Sequence, residues 1–142
     1  MSRIRDRDTG PEMTVRRILH RLGYRFRLHR RDMPGKPDIV LTKFNTVIFV
    51  QGCFWHRHPG CQYAYMPKTR TEFWERKFQE TVARDARNSQ QLRDSGWKVL
   101  YVWECEVKDM QKLAEKLNSF LQETVSDVQQ ALTAAGTGKQ QD

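Results

Sequence analysis

The chain has 142 residues, which suits one domain with a modest core, and it carries a formal net charge of +8. Residues 1–36 hold eleven Arg and Lys but only four acids, and positive charge on one side of a chain favours a polyanionic partner, most often nucleic acid. No apolar run approaches the ~20 residues that cross a bilayer, and no apolar stretch follows the Arg-rich start. We therefore expect no secretory signal, no membrane partner and a cytoplasmic location.

The N-terminal third predicts a helix, a short strand and a turn. Residues 1–8 are polar and are expected to form a flexible arm. Thr9-Gly-Pro-Glu12 is typical of a helix start, and apolar side chains then recur at helical spacing until Gly23, which ends the helix. Residues 24–28 are compatible with a short strand, and residues 33–37 predict a turn.

Two strands, a long helix, a third strand and a last amphipathic helix are predicted at 38–41, 46–50, 71–94, 97–103 and 109–130. The segment 51–68 is irregular and dense in Cys, His, Gly and aromatic residues, and so long a loop usually serves a function or binds a metal. This order predicts a small α/β sandwich with a mixed sheet, as one domain over 1–132 with a disordered tail at 133–142.

Metal-ligating side chains cluster in that loop, where Cys53, His56, His58 and Cys61 fall within nine residues, and Cys105 follows the third strand. Thiolates and imidazoles at this density fit a tetrahedral zinc site, and a cytoplasmic chain is not expected to build a disulfide framework. We predict Zn²⁺ on Cys53, His58, Cys61 and Cys105, with His56 in place of His58 as the alternative. Four protein ligands leave no position for water, so the site would be structural. The remaining interpretation is a set of buried thiols and surface histidines.

A second group of residues could carry hydrolytic chemistry. Asp38 opens a strand after a turn, where metal-dependent nucleases often place the acid that holds Mg²⁺. The usual acid-x-Lys on the next strand is missing from Val50-Gln51-Gly52, so the sequence at Asp38 alone favours an ordinary turn. His56, if it is free of zinc, could take a proton from the attacking water in place of that lysine. Asp85 could orient the imidazole and Glu12 could hold a metal-bound water, although the two are equally compatible with a helix surface and a helix cap.

Two adjacent aromatic residues, Phe54 and Trp55, stand inside the Cys/His loop. Aromatic side chains beside basic residues can stack on bases or wedge between them. The alternative is that they pack beneath the loop.

Several stretches, colinear over about residues 1–107, together resemble the very short patch repair (Vsr-type) DNA mismatch endonucleases. They are Pro34-Gly-Lys-Pro-Asp38, Val47-Ile-Phe-Val-Gln-Gly-Cys-Phe-Trp-His-Arg-His58, Thr69-Arg-Thr-Glu-Phe-Trp74, Arg84-Asp-Ala-Arg87 and Gly96-Trp-Lys-Val-Leu-Tyr-Val-Trp-Glu-Cys105. The resemblance implies a restriction-endonuclease-like, three-layer fold with a mixed central sheet and a structural zinc site. It also implies Mg²⁺-dependent nicking of the T-containing strand, 5′ of the T in a T:G mismatch that arises when 5-methylcytosine deaminates.

The resemblance also implies roles for single residues. Asp38 and the backbone carbonyl of Val50 would hold Mg²⁺, His56 would activate water with Asp85 as its partner, and Glu12 would contribute. The zinc ligands would be the four named above. The residues implied to contact DNA, with the first two intercalating, are Phe54, Trp55, Met1, Arg3, Lys36 and Arg57. The expected partner is double-stranded DNA with a T:G mismatch, bound by a monomer in the bacterial nucleoid, with contacts to mismatch-repair proteins.

The chain departs from this family at one pair of residues and in one loop. The best-known members carry Thr-His where this sequence has Val50-Gln51, which removes an imidazole near the scissile phosphate. The loop that ends at Cys61 is one residue longer. Two other functions therefore remain: a related nuclease with a different DNA target, and a non-catalytic, zinc-stabilised DNA-binding module.

Overall fold

The computed structural model describes residues 9–136, and the side chains of residues 9–123. The first helix, the long helix and the three longer strands appear close to their expected bounds. Two 3₁₀ segments, Thr42–Phe44 and Glu104–Lys108, complete the fold. In chain order the elements are α1 (Gly10–Arg21), β1 (Arg27–Leu28), β2 (Ile39–Leu41), β3 (Thr46–Gln51), α2 (Thr71–Asp94), β4 (Lys98–Trp103) and α3 (Met110–Gly136).

The first helix begins as its sequence predicts. The hydroxyl of Thr9 accepts a hydrogen bond from the Glu12 amide at 3.3 Å, and Pro11 lies in the first turn, where its missing N–H costs nothing. Gly23 follows the helix with φ of +91°, the left-handed conformation that ends many helices.

The last helix is longer than predicted. It continues to Gly136, six residues beyond the expected end at 130, through the helix-favouring sequence Ala131-Leu-Thr-Ala-Ala135. The expected tail, 133–142, thus overlaps the end of α3, and residues 137–142 lie outside the described part of the chain. So do the expected arm at 1–8 and, with it, Met1 and Arg3.

The four strands form one mixed sheet in the order β1-β2-β3-β4. The first two pairings are antiparallel, and β3 pairs with β4 in parallel, with Val50 opposite Val102 and Gln51 opposite Trp103. The parallel pair needs a crossover, and α2 supplies it. The carboxyl ends of β3 and β4 therefore meet at the same edge of the sheet.

The sheet separates two apolar clusters, so the molecule has three layers. On one face, α1 and α3 pack against alternate strand residues, among them Ile39 and Ile48. On the other face, Leu92 of α2 packs against Val40 and Val47, which are the neighbouring positions on the same two strands. Side chains on successive strand residues point to opposite faces, and both faces are covered, which explains the nearly continuous apolar sequence of β2 and β3. Within the described residues no helix is long and apolar enough to cross a membrane.

One glycine is required where the turn before β2 approaches both the sheet and α2. A Cβ on Gly35, whose φ is +75°, would stand 3.1 Å from the Phe49 ring and 3.1 Å from the Cβ of Asn88. This close approach brings the turn and Asp38 onto the end of the sheet.

The α3 layer should contribute strongly to stability. Leu117 is fully buried in the cluster below the sheet, so Leu117→Ala should lower the free energy of unfolding by about 2–5 kcal/mol. Leu22→Ala is the matched control, because Leu22 is 40% exposed, and its cost should stay below about 1 kcal/mol. Denaturant melts measure both, and equal losses would contradict this layer assignment.

Candidate active site and metal centre

The cysteines and one histidine of the irregular loop converge at the edge where β3 and β4 end. Single ligand atoms of Cys53, His58, Cys61 and Cys105 all lie within 4.8 Å of one another, a spacing at which they could hold a metal ion such as zinc. The convergence follows from the parallel pairing. Cys53 stands two residues beyond β3 and Cys105 two residues beyond β4, so the two thiols emerge side by side.

Neighbouring groups fix this cluster on the sheet edge. The His58 ring stacks on Trp103 with a centroid distance of 4.3 Å, and its Nδ1 lies 3.5 Å from the Cys105 sulfur. The amide of Cys53 donates to the Glu104 carboxylate at 3.2 Å. Burial raises the pKa of the Cys53 thiol to about 12 and also raises the pKa of Cys105, so an incoming ion must displace protons from the cluster.

His56 does not join the cysteines. Its Nδ1 lies 2.6 Å from a carboxylate oxygen of Asp85, on α2, as a short charge-assisted hydrogen bond. With Nδ1 engaged, Nε2 is the nitrogen left for other chemistry. Of the two predicted zinc alternatives, the structure thus brings His58 to the thiols and His56 to Asp85.

A pair of carboxyls lies across the cleft from this histidine. Asp38 stands just before β2, and its Oδ2 accepts a 2.7 Å hydrogen bond from the Val50 amide near the end of β3. Glu12, from the first turn of α1, is 3% exposed. Burial, as the largest cause, and the Glu12 carboxyl together raise the pKa of Asp38 to about 8, against the Val50 amide and the charge of Arg16, which lower it. A buried acid and a half-buried acid so close together fit a bound cation.

These groups open onto one cleft of about 540 Å³. It brings together residues from every layer of the fold. The predicted site residues along its wall are Glu12, Lys36, Asp38, Val50, Trp55, His56 and Asp85, with the departing Gln51 beside them. The cleft thus combines a carboxyl pair, a histidine–carboxylate pair and an exposed lysine.

Comparisons with known proteins agree with this arrangement. The family described as DNA mismatch endonuclease Vsr matches residues 1–62. The type II nicking enzyme V.XorIIP of Xanthomonas oryzae pv. oryzae is 46% identical over 121 residues, which cover 85% of this chain and 88% of the relative. The DNA mismatch endonuclease Vsr of Escherichia coli K12 is 41% identical over 116 residues, which cover 82% of this chain and 74% of the relative. The chain belongs to the Vsr family.

The adjacent aromatics of this Vsr-family protein have different environments. Phe54 is half-buried and contacts the rings of Trp74 and Phe78 at centroid distances of 5.6 and 5.2 Å. Trp55, by contrast, is 45% exposed and lines the cleft. Of the two, Trp55 has the larger surface available to a ligand.

Arg57, expected to contact DNA, is engaged within its own loop. Its guanidinium donates to the carbonyl oxygens of Phe54, Ala64 and Tyr65 at 2.9–3.1 Å. It also lies 3.8 Å from the centroid of the Phe78 ring, as a cation–π contact. These bonds tie the loop together around the aromatic pair, and a DNA contact by Arg57 stays a prediction.

The sequence did not point to His29. Its Nε2 lies 3.4 Å from a carboxylate oxygen of Glu12, and single ligand atoms of Glu12, His29 and Asp38 lie within 4.8 Å of one another. His29 follows a strand of only two residues and has no nearby motif. Its position depends on the pairing of β1 with β2, which local sequence does not reveal.

The cysteine cluster predicts a metal content and a specific loss. We expect about one zinc per chain by elemental analysis, as a four-ligand site requires. His58→Ala should release that zinc and lower the melting temperature, because the loop loses an anchor on the sheet edge. His20→Ala is the matched control, since His20 is an exposed residue of α1 and should leave the zinc content unchanged. Full zinc occupancy in His58→Ala would contradict the ligand set.

The raised pKa of Asp38 predicts that this residue lowers stability at neutral pH. A carboxyl whose pKa rises on folding from 3.8 to about 8 contributes stability below pH ~4 that is lost as the pH rises towards 8. Asp38→Asn keeps an oxygen for the Val50 amide and carries no charge. In zinc-loaded protein without Mg²⁺, it should therefore melt about 3 °C above the parent chain at pH 8.

The same comparison at pH 4.5 should show almost no difference, because the parent carboxyl is then protonated. Asp32→Asn is the control, since Asp32 is exposed and Arg30 holds its pKa at about 2. A gain for Asp38→Asn that is the same at both pH values would point to packing instead of charge.

Proposed function

We propose that this protein is a DNA mismatch endonuclease that nicks the T-containing strand 5′ of the T in T:G mismatches. The observation that carries the proposal is one cleft lined by both the Glu12–Asp38 carboxyl pair and the His56–Asp85 pair. Membership of the Vsr family, whose relatives include a mismatch endonuclease and type II nicking enzymes, supports the reaction class.

The carboxyl pair is the proposed site of a catalytic Mg²⁺ ion. Asp38 and the backbone carbonyl of Val50 would bind it, with Glu12 holding a coordinated water. A bound divalent ion would stabilise the charge that develops on the attacked phosphate. Carboxylate and carbonyl oxygens are the ligands that Mg²⁺ prefers, and Asp38 and Val50 are already joined by a hydrogen bond.

His56 is the proposed general base. The Asp85 carboxylate, 2.6 Å away, holds the proton on Nδ1 and so leaves the lone pair on Nε2 to accept a proton from the attacking water. Asp85 also stabilises the imidazolium that forms. The base therefore has its orientation fixed before substrate arrives.

The zinc-binding loop is proposed to present the mismatch-binding residues. The Cys53, His58, Cys61 and Cys105 cluster would hold Zn²⁺ as a structural ion, because four protein ligands leave no place for a reacting water. Trp55, exposed at the cleft, and the neighbouring Phe54 would intercalate beside the mismatch.

Several expectations complete the proposal. Lys36 is exposed on the cleft wall, where its charge would favour a phosphate, and Met1, Arg3 and Arg57 are further proposed DNA contacts. We propose a restriction-endonuclease-like fold, in keeping with the mixed sheet between two helical layers. We also propose a monomer that acts on DNA in the bacterial cytoplasm, in association with the nucleoid and in contact with mismatch-repair proteins.

The proposed reaction predicts a specific pattern of losses. With Mg²⁺, the purified protein should nick a T:G duplex, and His56→Ala should lower the rate by at least about two orders of magnitude, a typical share of general base catalysis. Asp38→Asn should lose as much or more, although it is predicted to be the more stable protein. His20→Ala controls for histidine removal and should nick at the parent rate. Nicking that survives Asp38→Asn would overturn the assignment.

The substrate is tested by mapping nick positions on T:G duplexes with varied flanks, beside matched duplexes and other mismatches. Cleavage 5′ of the T in T:G duplexes alone supports the mismatch activity. Cleavage at another mismatch or at a matched site would assign a related nuclease with a different target. Tight, salt-sensitive binding with no nick under any divalent ion would assign a DNA-binding module instead.

A further inference from the structure

His29 adds a nitrogen donor to the carboxyl pair of the cleft. Single ligand atoms of Glu12, His29 and Asp38 lie within 4.8 Å of one another, and His29 Nε2 is 3.4 Å from Glu12 Oε1. The imidazole is 19% exposed and the Glu12 carboxylate is 4% exposed, so the group is largely shielded from solvent. Carboxylates and an imidazole at this spacing are suited to bind a divalent ion, either directly or through a coordinated water.

The backbone places His29 at this position. Its φ is +49°, a left-handed conformation that a residue with a side chain seldom adopts. Its amide also donates to the carbonyl oxygen of Asp38 at 3.1 Å, just beyond the pairing of β1 with β2. His29 and Asp38 are thus fixed to each other by the main chain, and a ligand between them would find both side chains already in place.

The guanidinium of Arg16 shows which nitrogen of His29 faces the Glu12 carboxylate. A guanidinium nitrogen of Arg16 lies 3.5 Å from His29 Nε2 and 3.6 Å from Glu12 Oε1. The same imidazole nitrogen therefore faces both a carboxylate and a positive charge. A divalent ion that binds Nε2 and the carboxylates would take over the charge compensation that Arg16 now contributes.

We propose that His29 is a direct ligand of the divalent cation that Asp38 binds beside Glu12, and that it gives this site a preference for Mn²⁺ over Mg²⁺. Mg²⁺ is a hard ion that selects oxygen ligands and keeps its waters. An imidazole ligand favours transition ions, so one nitrogen among the carboxylates should strengthen Mn²⁺ binding far more than Mg²⁺ binding. The inference rests on the proposed function, since it concerns the cation of the proposed nuclease.

The test measures cation binding on the full-length, zinc-loaded protein without DNA. Free Mn²⁺ is counted by electron paramagnetic resonance, and Mg²⁺ affinity is obtained by competition against Mn²⁺. The parent protein should bind Mn²⁺ at least about tenfold more tightly than Mg²⁺. His29→Gln, which keeps an N–H donor for Glu12, should lose about tenfold in Mn²⁺ affinity and less than about threefold in Mg²⁺ affinity.

Pulsed electron paramagnetic resonance gives a direct signature. Mn²⁺ bound to the parent protein should show ¹⁴N modulation from a coordinated imidazole, and that modulation should vanish in His29→Gln. His20→Gln is the matched control and should retain both the modulation and the affinities. Zinc content and melting temperature confirm that each variant is folded.

Three outcomes would overturn the proposal: unchanged Mn²⁺ affinity in His29→Gln, ¹⁴N modulation that persists in that variant, or equal losses of Mn²⁺ and Mg²⁺ affinity. Equal losses would make His29 a positioning residue for Glu12. A nicking assay on T:G duplexes runs beside these measurements. If the protein nicks T:G duplexes and His29→Gln leaves Mn²⁺ affinity unchanged, the ligand role of His29 is refuted and the proposed nuclease stands. If Mn²⁺ binding depends on His29 but no nick forms, the proposed nuclease alone is refuted.

Discussion

The parallel pairing of β3 with β4 determines where the Cys/His cluster and the His56–Asp85 pair lie. Because both strands run the same way, the residues that follow them emerge at one edge, and the thiols of Cys53 and Cys105 meet there. The crossover between the two strands is α2, so Asp85 is carried along that edge and reaches His56. A metal cluster and a histidine–carboxylate pair are thus two results of one strand pairing.

The antiparallel half of the sheet contributes Asp38 to the cleft, in an electrostatically unfavourable position. It holds Asp38 beside the buried Glu12, where burial and the second carboxyl oppose ionisation. The fold keeps this arrangement at the expense of stability, because the Val50 amide and the charge of Arg16 only partly offset the burial of Asp38 and the effect of Glu12. Such tension is typical of sites that are completed by a cation. The turn held close by Gly35 is the local structure that makes the approach feasible.

The sequence predicted most of the fold because its signals are local. Helical spacing and a capped start identified α1, and the long apolar runs identified β3 and β4 to within a residue. The Cys and His spacing likewise singled out the four members of the metal cluster. The extent of α3 was underestimated, because the low-complexity composition after residue 132 favoured a disordered tail, although its alanines also favour a helix.

Other features could not be obtained from local patterns. The partnership of His56 with Asp85 joins residues 29 positions apart, so the sequence could offer Asp85 as a partner but local patterns did not favour it over a helix-surface residue. His29 was missed since its role depends on a two-residue strand and a left-handed backbone. Arg57 was expected to contact DNA, and in the structure its guanidinium donates to three carbonyl oxygens of its own loop. These bonds depend on the folded path of the loop, which the local sequence does not reveal.

The position of His56 in the chain has one more consequence. It lies between Cys53 and His58, inside a segment of the loop that connects two members of the Cys/His cluster. If the cluster holds zinc as proposed, loss of the ion would release both ends of that segment while the sheet and its apolar layers stay intact, since their cores contain other residues. A cell that runs short of zinc, or oxidises these thiols, would therefore hold folded protein in which Asp85 no longer meets a fixed imidazole. Such protein would still bind DNA through its basic surface but would leave the strand uncut.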